Sequence, residues 1–205
     1  MSDQNPSRKH PSRLSTPVRL GVAAVAACFI SAPVLSCTTT SGATVVNGTA
    51  CFTQAGNVLN IVNSNGAIIN WPTFSIPKGA TTHFEQTSAS STVLNRVLAG
   101  GGLSEIYGTL SSNGRVWLVN PAGIMVGPSG RVDVAGFVAI AGNVTNGDFL
   151  GNRVRFDASM GAGNVVNQGE ITTAIRTPSG GSVYLIGSNV SNEGIIHTPA
   201  GETIL

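Results

Sequence analysis

The chain has 205 residues, of which 26 are glycine, 10% are charged and 5% are aromatic. This length allows one domain with a real hydrophobic core. The low charge argues against classical disorder, and abundant glycine with 41% apolar residues favours short β-strands over a helical bundle. Four of the eleven basic residues, but only one of the nine acidic residues, precede position 20. The remainder is close to neutral, so no nucleic-acid partner is expected.

Residues 1–36 have the organisation of a secretory signal peptide. A polar, basic stretch comes first, and residues 20–35 follow as an almost continuously apolar run. That run is short for a membrane span, and Pro33 interrupts it. We predict export, cleavage after Ser36 and a mature chain of residues 37–205 without a membrane span. An N-terminal anchor that stays uncleaved is the alternative.

Cys37, the first residue of the predicted mature chain, has two interpretations. Val34-Leu35-Ser36-Cys37 loosely resembles a lipoprotein processing box, in which the cysteine would be acylated. Alternatively Cys37 forms a disulfide with Cys51, which an oxidising periplasm permits. Spacing does not decide between acylation and a disulfide.

Short β-prone runs separated by turn residues follow from position 43. Asn47-Gly48 predicts a hairpin, and Asn65-Gly66 and Lys78-Gly79 predict two further corners. Residues 88–91 are polar and predict a loop. After the two runs of that hairpin, the next predicted strands are Val58–Val62, Ala67–Trp71, Phe74–Ile76 and Thr82–Glu85.

The β pattern becomes denser in the second half of the chain. No stretch shows the 3.6-residue period of a helix, so no helix is predicted. Predicted strands, each bounded by turn residues, are Leu94–Val97, Gly108–Leu110, Val116–Val119, Ile124–Val126, Val132–Val134, Val138–Ile140, Val165–Val166, Ile171–Thr173, Val183–Ile186, Val190 and Ile195–Ile196.

A faint internal repeat has an offset of 25 residues. Asn167-Gln168-Gly169-Glu170-Ile171 recurs as Asn192-Glu193-Gly194-Ile195-Ile196. This period suits the coils of a parallel β-solenoid, in which apolar side chains stack from coil to coil. The asparagine before each glycine is then expected to form a ladder along the axis. A β-sandwich whose corners reuse Asn-Gly is the alternative.

The sequence contains no recognisable catalytic or metal-binding constellation. His83 and His197 have no cysteine or carboxylate at ligand spacing. No Gly-x-Ser-x-Gly motif occurs, and Asp133, Asp148 and Asp157 are too scattered to indicate paired catalytic carboxylates. We predict a protein that is not an enzyme, with no cofactor and no metal.

Several motifs occur in one order: Asn70-Trp71, Phe74-Ser75-Ile76, Asn95-Arg96-Val97, Gly108-Thr109-Leu110, Asn113-Gly114-Arg115-Val116 and Asn120-Pro121-Ala122-Gly123-Ile124. Together they resemble the N-terminal secretion domain of two-partner secretion exoproteins, the filamentous haemagglutinin-like family, also called the haemagglutination activity domain. The resemblance covers about residues 43–205.

This resemblance implies an all-β fold, a right-handed parallel β-helix with an N-terminal cap and added β-hairpins. It also implies a partner, an outer-membrane β-barrel transporter whose POTRA domains capture the exported, unfolded chain in the periplasm. The chain would then fold at the cell surface or be secreted. The candidate transporter-recognition or turn residues are Asn95, Arg96, Asn113, Gly114, Asn120, Pro121, Gly123 and Ile124.

Each candidate also has a purely structural interpretation, because most of these residue types form turns. Ala122 departs from the family's box, which has a second asparagine there, and this leaves in doubt any side-chain contact at that position. Trp71 and Trp117 are predicted to be core or cap residues.

Two other function classes compete with a secretion signal. A β-helix offers a flat face on which an adhesin could bind host-cell surfaces or glycans. A polysaccharide lyase would need clustered acidic and basic residues, which the low charge argues against. The chain stops within the apparent strand that contains Ile204. Two interpretations are open, a fragment of a longer exoprotein gene and a truncated relic, and the sequence does not decide between them. In full exoproteins the cargo and the host target are normally encoded further along.

Overall fold

Short strands account for most of the residues that the structure describes. The computed structural model describes residue 37, residues 42–153, residue 155, residues 163–173 and residues 181–205. The predicted signal peptide lies outside these residues. In chain order the elements are β1 (Thr44–Asn47), β2 (Ala50–Ala55), β3 (Val58–Asn63), β4 (Ala67–Trp71), β5 (Thr81–Gln86), β6 (Thr92–Val97), β7 (Ser104–Ile106), β8 (Thr109–Ser112), β9 (Arg115–Val119), β10 (Ile124–Val126), β11 (Arg131–Val134), β12 (Gly136–Ile140), α1 (Asn146–Leu150), β13 (Asn164–Asn167), β14 (Glu170–Thr173), β15 (Val183–Ile186), β16 (Asn189–Asn192), β17 (Ile195–His197) and β18 (Thr203–Ile204).

The strands form three sheets that wind around one core. Sheet A has the order β17-β14-β11-β8-β5-β3-β2, sheet B the order β1-β4-β6-β9-β12-β15-β18, and sheet C the order β16-β13-β10-β7. From β7 onward the chain passes repeatedly through sheets C, A and B, and each strand pairs in parallel with its counterpart one coil away. The fold is therefore a parallel β-helix, as predicted, and not a β-sandwich.

The repeat in the sequence corresponds to two stacked coils. Asn167 is in register with Asn192, and its Nδ2 donates to the Oδ1 of Asn192 at 2.7 Å. The predicted asparagine ladder is thus present. Leu110, Val132 and Ile171 stack in register on the inward face of sheet A. Because each coil buries its apolar residues against the next, the periodicity follows from packing.

An N-terminal cap closes the first coil. Strands β2 and β3 form an antiparallel hairpin, and β1 pairs antiparallel with β4. The prediction of a hairpin at Asn47-Gly48 is wrong, because β1 and β2 belong to different sheets and the chain turns a corner there. The local turn signal was correct, but each flanking strand finds its partner further along. Phe52 of this hairpin packs edge-to-face on Trp71 of β4, with ring centroids 5.8 Å apart.

The central strands of sheet B, β4, β6, β9 and β12, are buried on both faces. Their inward side chains join the main core, and their outward side chains form a second apolar cluster that includes Leu94, Trp117 and Val138. Residues 141–153, which we call the strap, follow β12 and include α1. Val144 and Phe149 of the strap belong to the second cluster.

The prediction that the chain contains no helix is wrong, because α1 forms within the strap. The Oγ1 of Thr145 caps it by accepting a hydrogen bond from the backbone N–H of Asp148 at 3.1 Å. Phe149 packs edge-to-face on Trp117, with ring centroids 5.3 Å apart. Five residues are too few to produce a visible helical period. No helix in the described part of the chain is long and apolar enough to cross a membrane.

The excursion that contains the strap interrupts an otherwise short coil. Ile124 is in register with Ser104, twenty residues earlier, and with Val165, 41 residues later. The segment predicted as a strand at Phe74–Ile76 is also only partly regular, since Ile76 makes one isolated bridge to Ile106.

Candidate functional site

Asn120 forms the buried corner between β9 and β10. This residue is 1% exposed. Its Nδ2 donates to the carbonyl oxygen of Gly102 at 2.8 Å and to the Oγ of Ser104 at 2.9 Å, and its Oδ1 accepts from the N–H of Ala122 at 2.9 Å. Both ends of the amide are therefore used inside the fold, where a lost partner is costly.

The rest of this corner follows from turn chemistry. The N–H of Gly123 donates to the carbonyl oxygen of Asn120 at 3.0 Å, and Gly123 has a φ of 112° that other residues rarely adopt. A Cβ at Gly123 would also lie 2.9 Å from the carbonyl oxygen of Asn164. Pro121 sets the first turn angle, and Ile124 begins β10 fully buried.

The side chain of Ala122 points away from these contacts and is exposed. An asparagine at this position would therefore face solvent in the folded domain. The departure from the family box removes no internal contact that the corner needs.

Asn113 and Gly114 form the corner at the other end of β9. Asn113 accepts from the backbone N–H of Gln86 at 2.7 Å through its Oδ1 and donates to the carbonyl oxygen of Gln86 at 2.8 Å through its Nδ2. The Asn113 side chain thus pairs with the backbone of Gln86, the last residue of β5, as a neighbouring strand would. A Cβ on Gly114 would lie 2.5 Å from the Gln86 side chain, so this position requires glycine unless Gln86 moves.

Asn95 lies inside the β-helix, in the middle of β6. It is fully buried, and its Oδ1 accepts a hydrogen bond from the Nε1 of Trp71 at 3.0 Å. Its Nδ2 donates to the carbonyl oxygen of Trp117 at 3.4 Å. The amide therefore satisfies the indole N–H of Trp71 and links β4 to β9 through β6.

Arg96, the next residue, points to the opposite face of sheet B. One terminal nitrogen donates to the carbonyl oxygen of Val144 at 2.6 Å and to the Oδ1 of Asn146 at 2.9 Å, both in the strap. The other donates to the Oδ1 of Asn70 at 3.3 Å. Burial lowers the pKa of the Arg96 guanidinium from its ordinary value, because desolvation disfavours the charged form.

The structure does not gather the predicted residues into one pocket. They lie along β6 and at the two ends of β9, which are neighbouring strands of sheet B. What the three asparagines among them share is that their side-chain amides are hydrogen-bonded within the fold. Sequence reasoning missed Gln86 and the strap as their partners. The spacing of Thr145 and Asp148, a capping pattern, was the one available signal for the strap.

Cys37 and Cys51 are joined by a disulfide, with their Cα atoms 4.9 Å apart. Cys51 lies in β2, the first strand of sheet A. A sulfur in a disulfide cannot also carry the thioether of a lipoprotein. Within the described residues, no group of three or more His, Cys, Asp or Glu side chains is arranged to hold a metal ion.

The model of the TPS secretion domain matches residues 37–204. The chain belongs to this family. A heme/hemopexin-binding protein of Haemophilus influenzae strain Rd is 33% identical to this secretion domain over 160 residues, 76% of this chain and 17% of that relative. Another Haemophilus influenzae protein of the same description is 38% identical over 76 residues, 37% of this chain and 8% of its own length.

A solved structure has the same architecture. The crystal structure of the HMW1 secretion domain from Haemophilus influenzae matches this secretion domain with a TM-score of 0.69 and 37% identity. The match covers 76% of this chain and 41% of that one. This chain therefore spans less than half of the solved chain and a smaller share of the curated relatives.

Proposed function

We propose that this domain is the secretion signal of a larger exoprotein, read by the POTRA domains of a cognate outer-membrane β-barrel transporter. Membership of the TPS secretion domain family supports this function. The partner, the passage through the periplasm and the predicted signal peptide of residues 1–36 are parts of the same proposal. We also propose that the domain is not an enzyme, since its acidic residues are too scattered in the sequence to indicate a catalytic pair.

One observation bears on how the transporter would read the signal. Asn95 and Asn120 are buried, and their amides bond within the fold. A partner that recognises these side chains must therefore do so before folding. An extended, weakly charged chain can be held as an added strand at a sheet edge, where main-chain hydrogen bonds supply affinity.

Folding then provides a reason for one-way movement. Each coil of the β-helix offers a template for the next, so coils can form in order as the chain emerges. We propose that coil formation on the outside opposes backsliding. Movement driven in this way needs no nucleotide hydrolysis, because burial of apolar side chains supplies the free energy of folding.

The disulfide between Cys37 and Cys51 fits export through an oxidising compartment. We propose that it fixes Cys37, the predicted first residue of the mature chain, to strand β2 of the cap. Acylation of Cys37 is the competing outcome. Mass spectrometry of the exported chain distinguishes them, since a disulfide lowers the mass by two hydrogens and a lipid raises it.

Export with and without a cognate outer-membrane transporter tests the central proposal. The full chain should reach the medium or the cell surface only when that transporter is produced, and should remain periplasmic otherwise. A transporter from which the POTRA domains have been deleted is the matched control. Export through it at the same level as through the complete transporter would contradict recognition by POTRA domains.

Direct binding to host surfaces is a second candidate function. It is favoured by the outward face of sheet A, where His83, Ser111, Asp133 and Thr172 follow one another in register. The Nδ1 of His83 lies 2.8 Å from the Oγ of Ser111. Binding of the purified domain to cells or glycan arrays, abolished by changes in this row, would support an adhesin role.

A further inference from the structure

The outward face of sheet B needs a cover, and the strap supplies it. Leu94, Trp117 and Val138 stack in register on this face. All three are largely removed from water, with exposed fractions of 0%, 3% and 6%. Without the strap they would form a continuous apolar patch of the kind that binds other apolar surfaces.

Arg96 is the polar connection between this face and the strap. Its guanidinium reaches the carbonyl oxygen of Val144 and the side chain of Asn146, the first residue of α1. The same group also holds Asn70 in the neighbouring strand β4. Its Nε is buried without a hydrogen-bond partner among the described residues. Burying a charge is costly unless it is hydrogen-bonded, and the closed strap supplies two of the acceptors that offset this cost.

The two strap partners lie 48 and 50 residues beyond Arg96 in the chain. If coils are added in the order of the chain, this contact forms after β9 and β12 have joined sheet B. By contrast, the Asn95 contacts join residues 22 and 24 apart, within adjacent coils. In that order the contact of Arg96 with the strap is completed at least one coil later than the contacts of Asn95.

We propose that Arg96 is a latch that closes the strap over the outward face of sheet B, in a step separate from winding of the β-helix. The proposal rests on the proposed function only for the N-to-C order in which the chain emerges. In it Arg96 is a positioning residue of the folded domain. The transporter has no need to read it.

Separate closure follows from how the strap is held. A five-residue helix is not stable by itself, so α1 depends on its contacts with sheet B. Those contacts are on the outside, whereas the main core lies within the coils. Opening the strap leaves that core intact and is expected to cost less than unfolding.

Hydrogen exchange of the purified mature chain tests the latch. The reporters are the amides of Phe149 and Gly151, which donate to Thr145 and Gly147 within the strap. Arg96→Met should accelerate their exchange roughly 10-fold to 100-fold, because hydrogen bonds to a charged group are lost. Exchange in β3 and β5 should stay within about two-fold of the original.

Arg131→Met is the matched control, because Arg131 is an exposed strand arginine that pairs with Glu170 on sheet A. It should leave strap exchange unchanged. Asn146→Ala removes one acceptor from the latch without touching sheet B and should produce a smaller acceleration in the same amides. An Arg96→Met variant that exchanges at the original rate in the strap would overturn the latch. So would acceleration of equal size throughout the β-helix.

Export of the same variants separates this inference from the proposed function. The latch predicts that Arg96→Met is exported normally and is cut faster by protease within residues 141–153 once folded. Periplasmic arrest of Arg96→Met with unchanged strap exchange would assign Arg96 to recognition and reject the latch. Transporter-independent export of the original chain would reject the proposed function, while the exchange result would stand.

Discussion

Sheets A and B each have seven strands, but they meet their surroundings differently. The outward side chains of sheet A include His83, Ser111 and Arg131, which are polar and face water. Those of sheet B include Leu94 and Trp117, which the strap covers. The same winding chain thus builds one face that needs no cover and one that is incomplete without it.

This difference is already present in the strand sequences. Strand β5 alternates, with Phe84 buried between the less buried His83 and Glu85. Strand β9 is buried continuously from Val116 to Val119. Alternation is typical of a sheet with one wet face, and continuous burial of a sheet covered on both sides. A continuous run in a solenoid therefore indicates that another segment of the chain must return to cover it.

The largest expected effect comes from removing the outward core of sheet B. Trp117→Ala should lower the free energy of unfolding by about 3–5 kcal/mol, through the cavity left against Phe149 and Leu94. Urea unfolding followed by circular dichroism measures it. His83→Ala, at an outward position of sheet A, should cost less than about 1 kcal/mol. Equal losses would show that the two faces do not differ as described.

The disulfide should have the next largest effect, at the first strand of sheet A. Replacing both Cys37 and Cys51 by serine should lower stability by about 3 kcal/mol, as expected for a loop of this length. Unfolding of the original chain with and without reductant gives an independent measurement. If reductant also destabilises the double variant, the loss does not come from this bond.

Asn120 should have a smaller effect, at a corner that joins sheet B to sheet C. Asn120→Ala leaves the Oγ of the fully buried Ser104 without the hydrogen bond that Asn120 donates, at a cost of about 2 kcal/mol. Ala122→Asn restores the family box at an exposed position and should change stability by less than about 0.5 kcal/mol. A large change in the second variant would mean that the corner is packed differently.

The smallest expected effect is a weakening of strap closure at acidic pH. The hydrogen bond from Thr145 lowers the pKa of Asp148, and the nearby charges of Arg155 and Arg153 lower it further. The contribution of Asp148 to strap closure is therefore present above the ordinary pKa of an aspartate and is lost as pH falls through its lowered value, below about pH 4. Tryptophan fluorescence should show a small transition there that Asp148→Asn lacks.

Much of the coil architecture was predictable because it depends on local signals. The strands Ile124–Val126 and Val183–Ile186 have the predicted bounds. The 25-residue repeat gives the observed register of Asn167 and Asn192. In a solenoid a residue's neighbour lies one period away, so a repeat in the sequence carries tertiary information.

What could not be predicted depends on contacts between distant segments. The turn at Asn47-Gly48 is a real corner, but only the sheet topology shows that its two strands separate. Likewise, Arg96 reads as a motif residue in sequence and becomes a strap contact only across 48 residues. The predicted cleavage after Ser36 lies at the edge of the described residues and stays a prediction.

Binding of the isolated POTRA domains to unfolded and folded forms of this chain is the most direct test of the account. A cognate outer-membrane transporter supplies the POTRA domains, and the mature chain is presented either freshly diluted from urea or fully refolded. We expect binding to the unfolded form and a loss of at least about ten-fold in affinity for the folded form, in which the asparagine amides are internally bonded. Equal or tighter binding to the folded domain would contradict the account.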